Sequence, residues 1–247
     1  DQQGEVFHRY ILGLYELYER LTAKFPHVLF ESCASGGGRF DPGMLYYAPQ
    51  AWTSDNSDAA ERQKIQYGTS MCYPVSSMGS HVSVVPNHQM NRMTPLHTRA
   101  NTAYFGTFGY ELDLNKLTEE EIAEVKEQVS FMKEYREIFQ YGTFYRLQSP
   151  FENNVMAWMS VSADRKTAIV GWYRTLNRVN YRFERVKLAG LLPDVLYENR
   201  RSGVRCYGDE LINYGLITTD GTAGEPIAEN GLSVDFESRI YVLKAVE

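Results

Sequence analysis

The sequence has 247 residues, close to the roughly 250 residues of a complete (β/α)8 barrel. With 43% hydrophobic and 23% charged residues, it has the composition of a globular protein and not of a disordered chain. The net charge of −6 at pH 7 argues against nucleic acid and anionic membrane as partners, because basic side chains hold the phosphates of both. No run of about 18 apolar residues occurs, so no membrane span is predicted.

A helix is predicted over residues 5–24, where apolar residues recur at helical spacing and indicate one buried face. These residues are Phe7, Tyr10, Ile11, Leu14, Leu17, Tyr18 and Leu21. Pro26 ends the helix. The apolar run at residues 28–30 then predicts a strand of the parallel type, which leads into a glycine-rich loop at residues 31–41.

Three further strands, each followed by a helix, are predicted before residue 142. The strands lie near residues 51–54, within residues 76–85 and at residues 108–112. Two of the helices begin with capping-box spacing, Asp58 with Glu61 and Thr118 with Glu121. This alternation is typical of βα units in a parallel sheet, but four strands make only half a barrel.

From Phe144 onwards the apolar residues alternate with a period of two, which predicts short antiparallel strands separated by turns. The predicted strands are residues 155–161, 167–173, 181–183, 195–197 and 239–243. The turn signals between them lie at residues 164–166, 202–203 and 220–221. An antiparallel β-sandwich is the expected architecture of this part.

The start of the chain and its cysteine content bear on processing and on the cellular compartment. The start of the chain, residues 1–5, lacks both an initiator Met and the basic and apolar regions of a signal peptide, so we expect it to begin after processing or within a longer protein. The three cysteines, Cys33, Cys72 and Cys206, are too few for a disulfide framework. They favour a reducing compartment, and we expect the protein to be cytoplasmic.

The glycine-rich loop contains Cys33 and three consecutive glycines that begin at Gly36. Such glycines let backbone amides approach a ligand closely. The spacing does not match a phosphate-binding loop or a dinucleotide fingerprint, so a nucleotide site is rejected. Cys33 could act as a nucleophile only with a partner base, and a small buried thiol is the simpler interpretation. The histidines lack zinc spacing, and neither a metal nor another cofactor is expected.

A second loop, at residues 52–58, carries two acidic residues where a strand meets a helix, Asp55 and Asp58. In a barrel of parallel strands the reactive groups lie on loops at the C-terminal ends of the strands, which makes Asp55 a candidate catalytic acid. A turn residue explains Asp55 equally well, and helix capping accounts for Asp58. Trp52 is either a wall of a binding pocket or a core residue.

Four blocks of the sequence, in the same order, resemble the α-galactosidases of glycoside hydrolase family 36. They are residues 31–44 (ESCASGGGRFDPGM), 52–58 (WTSDNSD), 65–70 (IQYGTS) and 105–113 (FGTFGYELD). The resemblance implies retaining hydrolysis of terminal α-linked galactose in substrates such as melibiose and raffinose-type oligosaccharides, without a cofactor. On the matching positions Asp55 is the acid/base, which protonates the leaving oxygen and then activates water. Cys33 and Gly36 are substrate-contacting positions, and Trp52 is a pocket wall.

One departure from the family pattern limits what this chain can do. The family nucleophile is an Asp in a Lys-Trp-Asp-Met-Asn-Arg type motif before the glycine-rich loop, and no such motif occurs here. Residues 89–92 (QMNR) resemble only its end and contain no Asp, so no nucleophile is assigned. The sequence therefore matches a region that starts just after the nucleophile, without the N-terminal β domain and the first four barrel strands.

The resemblance thus implies a fragment with two domains. Residues 1–141 form the C-terminal half of the (β/α)8 barrel, and residues 142–247 form the antiparallel β-sandwich. We expect this fragment to be inactive by itself, and aggregation-prone or molten, because a half barrel leaves an open parallel edge. For the intact parent the family implies a homo-oligomer.

Two other functions remain open at this stage. The first is a non-catalytic carbohydrate-binding or assembly module, which the missing nucleophile would suit. The second is a transglycosylating relative that transfers galactose to another sugar, or an enzyme acting on N-acetylgalactosamine, either of which could use Asp55.

Overall fold

The computed structural model describes residues 2–178, 184–218 and 235–246. Its first part begins with helix α1 (Gln3–Lys24), which confirms the first predicted helix. Four short parallel strands follow, β1 (Glu31–Ser32), β2 (Gln50–Ala51), β3 (Gly79–Ser83) and β4 (Thr107–Glu111). β1 pairs with β2, β3 pairs with β4, and a bridge between Ala51 and Met78 joins the two pairs. The strands therefore run side by side in chain order, as in one half of a barrel.

Helices or helical turns separate these strands along the chain, and a long helix follows the last strand. They are α2 (Ala34–Gly37), α3 (Pro42–Tyr47), α4 (Ala59–Thr69), α5 (Leu96–Ala103) and α6 (Glu119–Tyr141). The side chain of Asp58 accepts a hydrogen bond from Glu61 N at the start of α4. Thr118 and Glu121 form both hydrogen bonds of a capping box at the start of α6. Both predicted helix starts are confirmed, because capping depends only on residues within one turn.

The second part is a six-stranded antiparallel sheet. Its strands are β5 (Thr143–Gln148), β6 (Val155–Val161), β7 (Thr167–Arg174), β9 (Leu196–Asn199), β10 (Arg205–Tyr207) and β12 (Glu237–Ala245). Their order across the sheet is β10-β9-β12-β7-β6-β5. A two-stranded ribbon of β8 (Arg185–Val186) and β11 (Leu216–Ile217), together with α7 (Gly208–Asn213), lies against it. The strand predicted at residues 181–183 and the turn at 220–221 lie outside the described residues.

The central strands β6 and β7 are buried along almost their whole length. On one face Met156 and Trp158 pack with Phe105 and Phe139 of the first part. On the other face the alternate residues pack with the ribbon and α7, and they are Ala157, Met159, Val170 and Trp172. Alternate residues of these strands therefore face two different apolar cores, and neither face of the two strands is turned to water. The expected order of parallel βα units followed by an antiparallel sandwich is confirmed.

The expectation of a buried face on α1 is wrong for the described residues. No residue of α1 is buried, and Phe7 is 64% exposed. The predicted strand at residues 28–30 is also absent, and Leu29 is 89% exposed. The physical reason is that α1 packs mainly against α3, and β1 pairs with β2 alone among the described strands. Within the described ranges, every helix is too short or too polar to cross a lipid bilayer.

Candidate active site

The glycine-rich loop that follows β1 has an unusual backbone conformation. Four consecutive residues from Ala34 to Gly37 have positive φ, with values of 61°, 55°, 70° and 90°. Two of them, Ala34 and Ser35, carry side chains that disfavour this left-handed region. Strained backbone of this kind concentrates at functional sites, where the surrounding structure holds it in place.

The glycines of this loop allow the loop that carries Asp55 to lie directly against it. A Cβ atom on Gly36 would stand 2.7 Å from Asp55 N and 2.9 Å from Ser54 Cα. A Cβ atom on Gly37 would stand 3.1 Å from Thr53 O. The structure therefore brings Gly36 and Asp55 together, although 18 residues separate them in the sequence. The close approach that Gly36 permits here is that of protein backbone.

Helix α1 anchors the other end of the glycine-rich loop through two tyrosines. Arg39 Nη1 donates a hydrogen bond of 2.7 Å to Tyr10 Oη. Tyr15 Oη donates one of 2.7 Å to Asp41 Oδ1, and this bond to a carboxylate raises the pKa of Tyr15 to about 12. Asp41 in turn accepts from Met44 N and caps α3. The apolar pattern of α1 did not indicate this role.

Asp55 itself is exposed, while the neighbouring residues of its loop form hydrogen bonds. Asn56 N donates to Ser54 Oγ, and Asp58 N donates to Asn56 Oδ1, both at 3.1 Å. The carbonyl of Ser54 accepts from the buried guanidinium of Arg62 at 3.3 Å. The loop therefore holds its shape by local hydrogen bonds and presents the carboxyl of Asp55 to solvent.

Asp58, the second acid of the loop, has a structural role. Its side chain is fully buried, caps α4 and forms an ion pair with Arg92 Nη1. Sequence reasoning predicted the cap but missed Arg92, which lies 34 residues further along the chain. No local signal connects the two residues.

Trp52 is half-buried and packed between other side chains. Its ring stacks on His81 with centroids 4.5 Å apart and planes inclined by 16°. The guanidinium carbon of Arg62 lies 4.5 Å from the ring centroid, and burial lowers the pKa of Arg62 to about 10. These contacts show a packing role for Trp52, and its role as a pocket wall stays a prediction.

Cys33 immediately precedes α2 and is partly buried. The three cysteines are free thiols. Within the described ranges no cluster of three or more His, Cys, Asp or Glu side chains could hold a metal ion. The contact of Cys33 with substrate stays a prediction.

Two family models match the chain. The Melibiase model matches residues 1–142, and the model described as the glycosyl hydrolase family 36 C-terminal domain matches residues 155–243. Alpha-galactosidase AgaA of Geobacillus stearothermophilus is 52% identical over 247 residues, and Mel36A of Lactobacillus acidophilus is 46% identical over 246 residues. Each match covers 100% of this chain and 32% of the relative. The chain thus spans about a third of the length of these relatives.

Crystal structures of similar proteins share the fold. The α-galactosidase of Lactobacillus brevis superposes with a TM-score of 0.93 at 51% identity, covering 100% of this chain and 33% of that protein. A variant of AgaA in complex with raffinose superposes with a TM-score of 0.91 at 51% identity, covering 99% and 32%. Another AgaA variant is in complex with stachyose, with a TM-score of 0.89 at 52% identity, covering 97% and 32%.

Proposed function

Because this chain belongs to the Melibiase family and carries the C-terminal domain of glycosyl hydrolase family 36, we propose that it forms the acid/base-bearing part of a retaining α-galactosidase. In such hydrolysis one carboxylate attacks the anomeric carbon and forms a covalent glycosyl-enzyme. A second carboxyl group protonates the leaving oxygen and then deprotonates the water that releases the sugar. Asp55 is the second carboxyl group in this proposal.

The observation that carries this role is the position of Asp55. It lies in the loop that follows a parallel strand, β2, where barrel enzymes place their reactive groups. The backbone of Gly36 touches its loop from one side, and its own side chain is exposed. The other acid of the loop, Asp58, is buried and paired with Arg92. Asp55 is therefore the carboxyl of this loop that a substrate could reach.

The nucleophile in this proposal comes from a longer polypeptide that contains these residues. Two observations support such a polypeptide. The chain spans about a third of the length of its relatives, and α1 and Leu29 present apolar side chains to solvent. A preceding set of barrel strands would cover these side chains and place a second carboxyl roughly 5–5.5 Å from Asp55, the separation typical of retaining enzymes. We call this longer chain the full-length polypeptide.

We further propose terminal α-galactosides of the raffinose type, and melibiose, as substrates. Support comes from relatives whose crystal structures contain raffinose and stachyose.

For the cellular location we propose a reducing compartment such as the cytoplasm, which the free cysteines support. We also propose that the full-length polypeptide forms a homo-oligomer, which light scattering would test.

The test of this function is Asp55→Asn in the full-length polypeptide. We expect turnover of melibiose to fall on the order of 100–10,000-fold, since general acid–base catalysis contributes about this much. Turnover of nitrophenyl α-galactoside should fall less, because a good leaving group needs little protonation. The matched control is Asp194→Asn, which changes an exposed carboxyl in the second part of the chain and should leave both rates unchanged.

Three results would point elsewhere. Full activity of Asp55→Asn on melibiose would refute the acid/base role. Binding of α-galactosides by the wild-type polypeptide without cleavage would instead indicate a carbohydrate-binding module. Galactosyl transfer to an added acceptor sugar as the main reaction would indicate a transglycosylase.

A further inference from the structure

We infer that the antiparallel sheet of the second part positions the loop carrying Asp55, acting through Phe236, Arg92 and Asp58. This inference rests on the proposed function. It gives a role to residues 89–92, which resemble the end of the family nucleophile motif but hold no nucleophile. Arg92 is a positioning residue in this account, since it acts on Asp55 through Asp58.

The first step is the shape of the turn between β3 and α5 at residues 87–92. Asn87 is 2% exposed, and its Oδ1 accepts from Gln89 N at 3.0 Å and from Met90 N at 2.9 Å. The backbone closes the same turn, with Asn87 N donating to Arg92 O and Asn91 N donating to Asn87 O. The turn is therefore a compact unit whose side chains point from fixed positions.

The second step is that this turn contacts two adjacent residues of the loop at residues 52–58, namely Ser57 and Asp58. Ser57 Oγ donates to Gln89 Oε1 at 3.1 Å, and Asn87 Nδ2 donates to Ser57 Oγ at 3.2 Å. Arg92 Nη1 forms its ion pair with the buried carboxylate of Asp58. A buried carboxylate is costly without a partner, so Arg92 and the N-terminus of α4 together hold Asp58 in place. Through the bond from Asp58 N to Asn56 Oδ1, this also fixes the turn on which Asp55 lies.

The third step connects Arg92 to the sheet. The guanidinium carbon of Arg92 lies 4.9 Å from the ring centroid of Phe236, which immediately precedes β12. Phe236 has a φ of 57°, a left-handed conformation that a bulky residue adopts only under constraint. Two hydrogen bonds provide the constraint, since Phe236 N donates to Thr175 O at 2.9 Å and Phe236 O accepts from Thr98 Oγ1 at 2.8 Å. The sheet thus presents one ring, at a defined place, to the arginine that holds Asp58.

The inference is tested by Arg92→Gln in the full-length polypeptide, assayed on melibiose and on nitrophenyl α-galactoside. We expect kcat for melibiose to fall on the order of 10–100-fold, because a displacement of roughly 1 Å at a reacting group can cost this much. KM should stay within about twofold, since in this inference Arg92 acts through Asp58 and not on the substrate. The kcat for the nitrophenyl substrate should fall less than the kcat for melibiose. The matched control is Arg20→Gln, which removes a guanidinium 77% exposed on α1.

Three further variants test whether Phe236, Arg92 and Asp55 act together. Phe236→Ala should give a smaller loss of the same kind, and Phe236→Tyr, which keeps the ring, should restore melibiose turnover to within about twofold of wild type. In an Asp55→Asn background, Arg92→Gln should lower kcat by less than about twofold, because residues that act as a unit are not additive.

Equal losses on the two substrates after Arg92→Gln would overturn the inference, since a general loss of folded protein affects both alike. Independent losses in the double variant, or wild-type behaviour of Phe236→Ala, would also overturn it. Failure of the proposed function is a separate result. In that case Asp55→Asn itself keeps its activity on melibiose, whereas a dependence on Asp55 without any dependence on Arg92 refutes only the positioning role.

Discussion

Gly36→Ala is the sharpest test of how the two loops of the site fit together. Gly36 has a φ of 70°, which costs a residue with a side chain roughly 1–2 kcal/mol. The new Cβ would also stand 2.7 Å from Asp55 N, whereas ordinary contacts begin at 3.4 Å. The two backbones must therefore separate by about 0.7 Å, and neither atom belongs to a side chain that could rotate away.

Gly203→Ala provides a control with the same backbone cost and no steric clash. Gly203 has a φ of 71°, and nothing lies within 4 Å of the position where its Cβ would stand. Both variants should lower the thermal midpoint of the full-length polypeptide. Only Gly36→Ala should lower kcat for melibiose, on the order of 10–100-fold, because it moves Asp55 by a large fraction of an ångström.

The assay combines thermal unfolding with steady-state kinetics on both variants. Wild-type kcat for Gly36→Ala would refute the reasoning, because it would show that the two loops move apart without displacing the carboxyl of Asp55. An equal fall of kcat in Gly203→Ala would refute it as well, since the effect would then follow from destabilisation alone.

Two further predictions concern stability. The isolated 247-residue chain should bind a hydrophobic dye and melt without a sharp transition, because α1 exposes apolar side chains such as Phe7. It should also show no turnover of nitrophenyl α-galactoside. A sharp two-state transition without dye binding would contradict the first expectation. In the full-length polypeptide, Phe139→Ala should lower the free energy of unfolding by about 3–5 kcal/mol, since this ring is fully buried and its centroid lies 5.0 Å from that of Phe105. Phe151→Ala, at a ring 62% exposed, should cost less than about 1 kcal/mol, and similar shifts of the thermal midpoint for the two variants would be evidence against the core assignment.

Much of the local structure follows from residues that are neighbours in the sequence. The capping box of Thr118 and Glu121, the cap at Asp58 and the helix at α1 each depend on contacts within one or two helical turns. The alternation of strands and helices predicted the parallel half barrel for the same reason. The motif at residues 52–58 likewise indicates Asp55 as the candidate acid without any knowledge of tertiary contacts.

What α1 and the central strands bury could not be read from their patterns. An apolar stripe shows that a face needs cover, but it does not show whether the cover lies in the same chain, and α1 remains exposed here. In the same way, the nearly continuous apolar run of β6 indicates that both of its faces are covered, but it does not show that two different cores cover them.

The sequence by itself determined the family, the order of the elements and the loop that carries the candidate acid. Only the tertiary structure decided what supports that loop. The difference in residue number is 19 for Gly36 and Asp55, 34 for Asp58 and Arg92, and 138 for Thr98 and Phe236. The reason is physical, since helix caps and periodicity depend on neighbours within a turn, whereas these pairs form only when separate elements pack against one another.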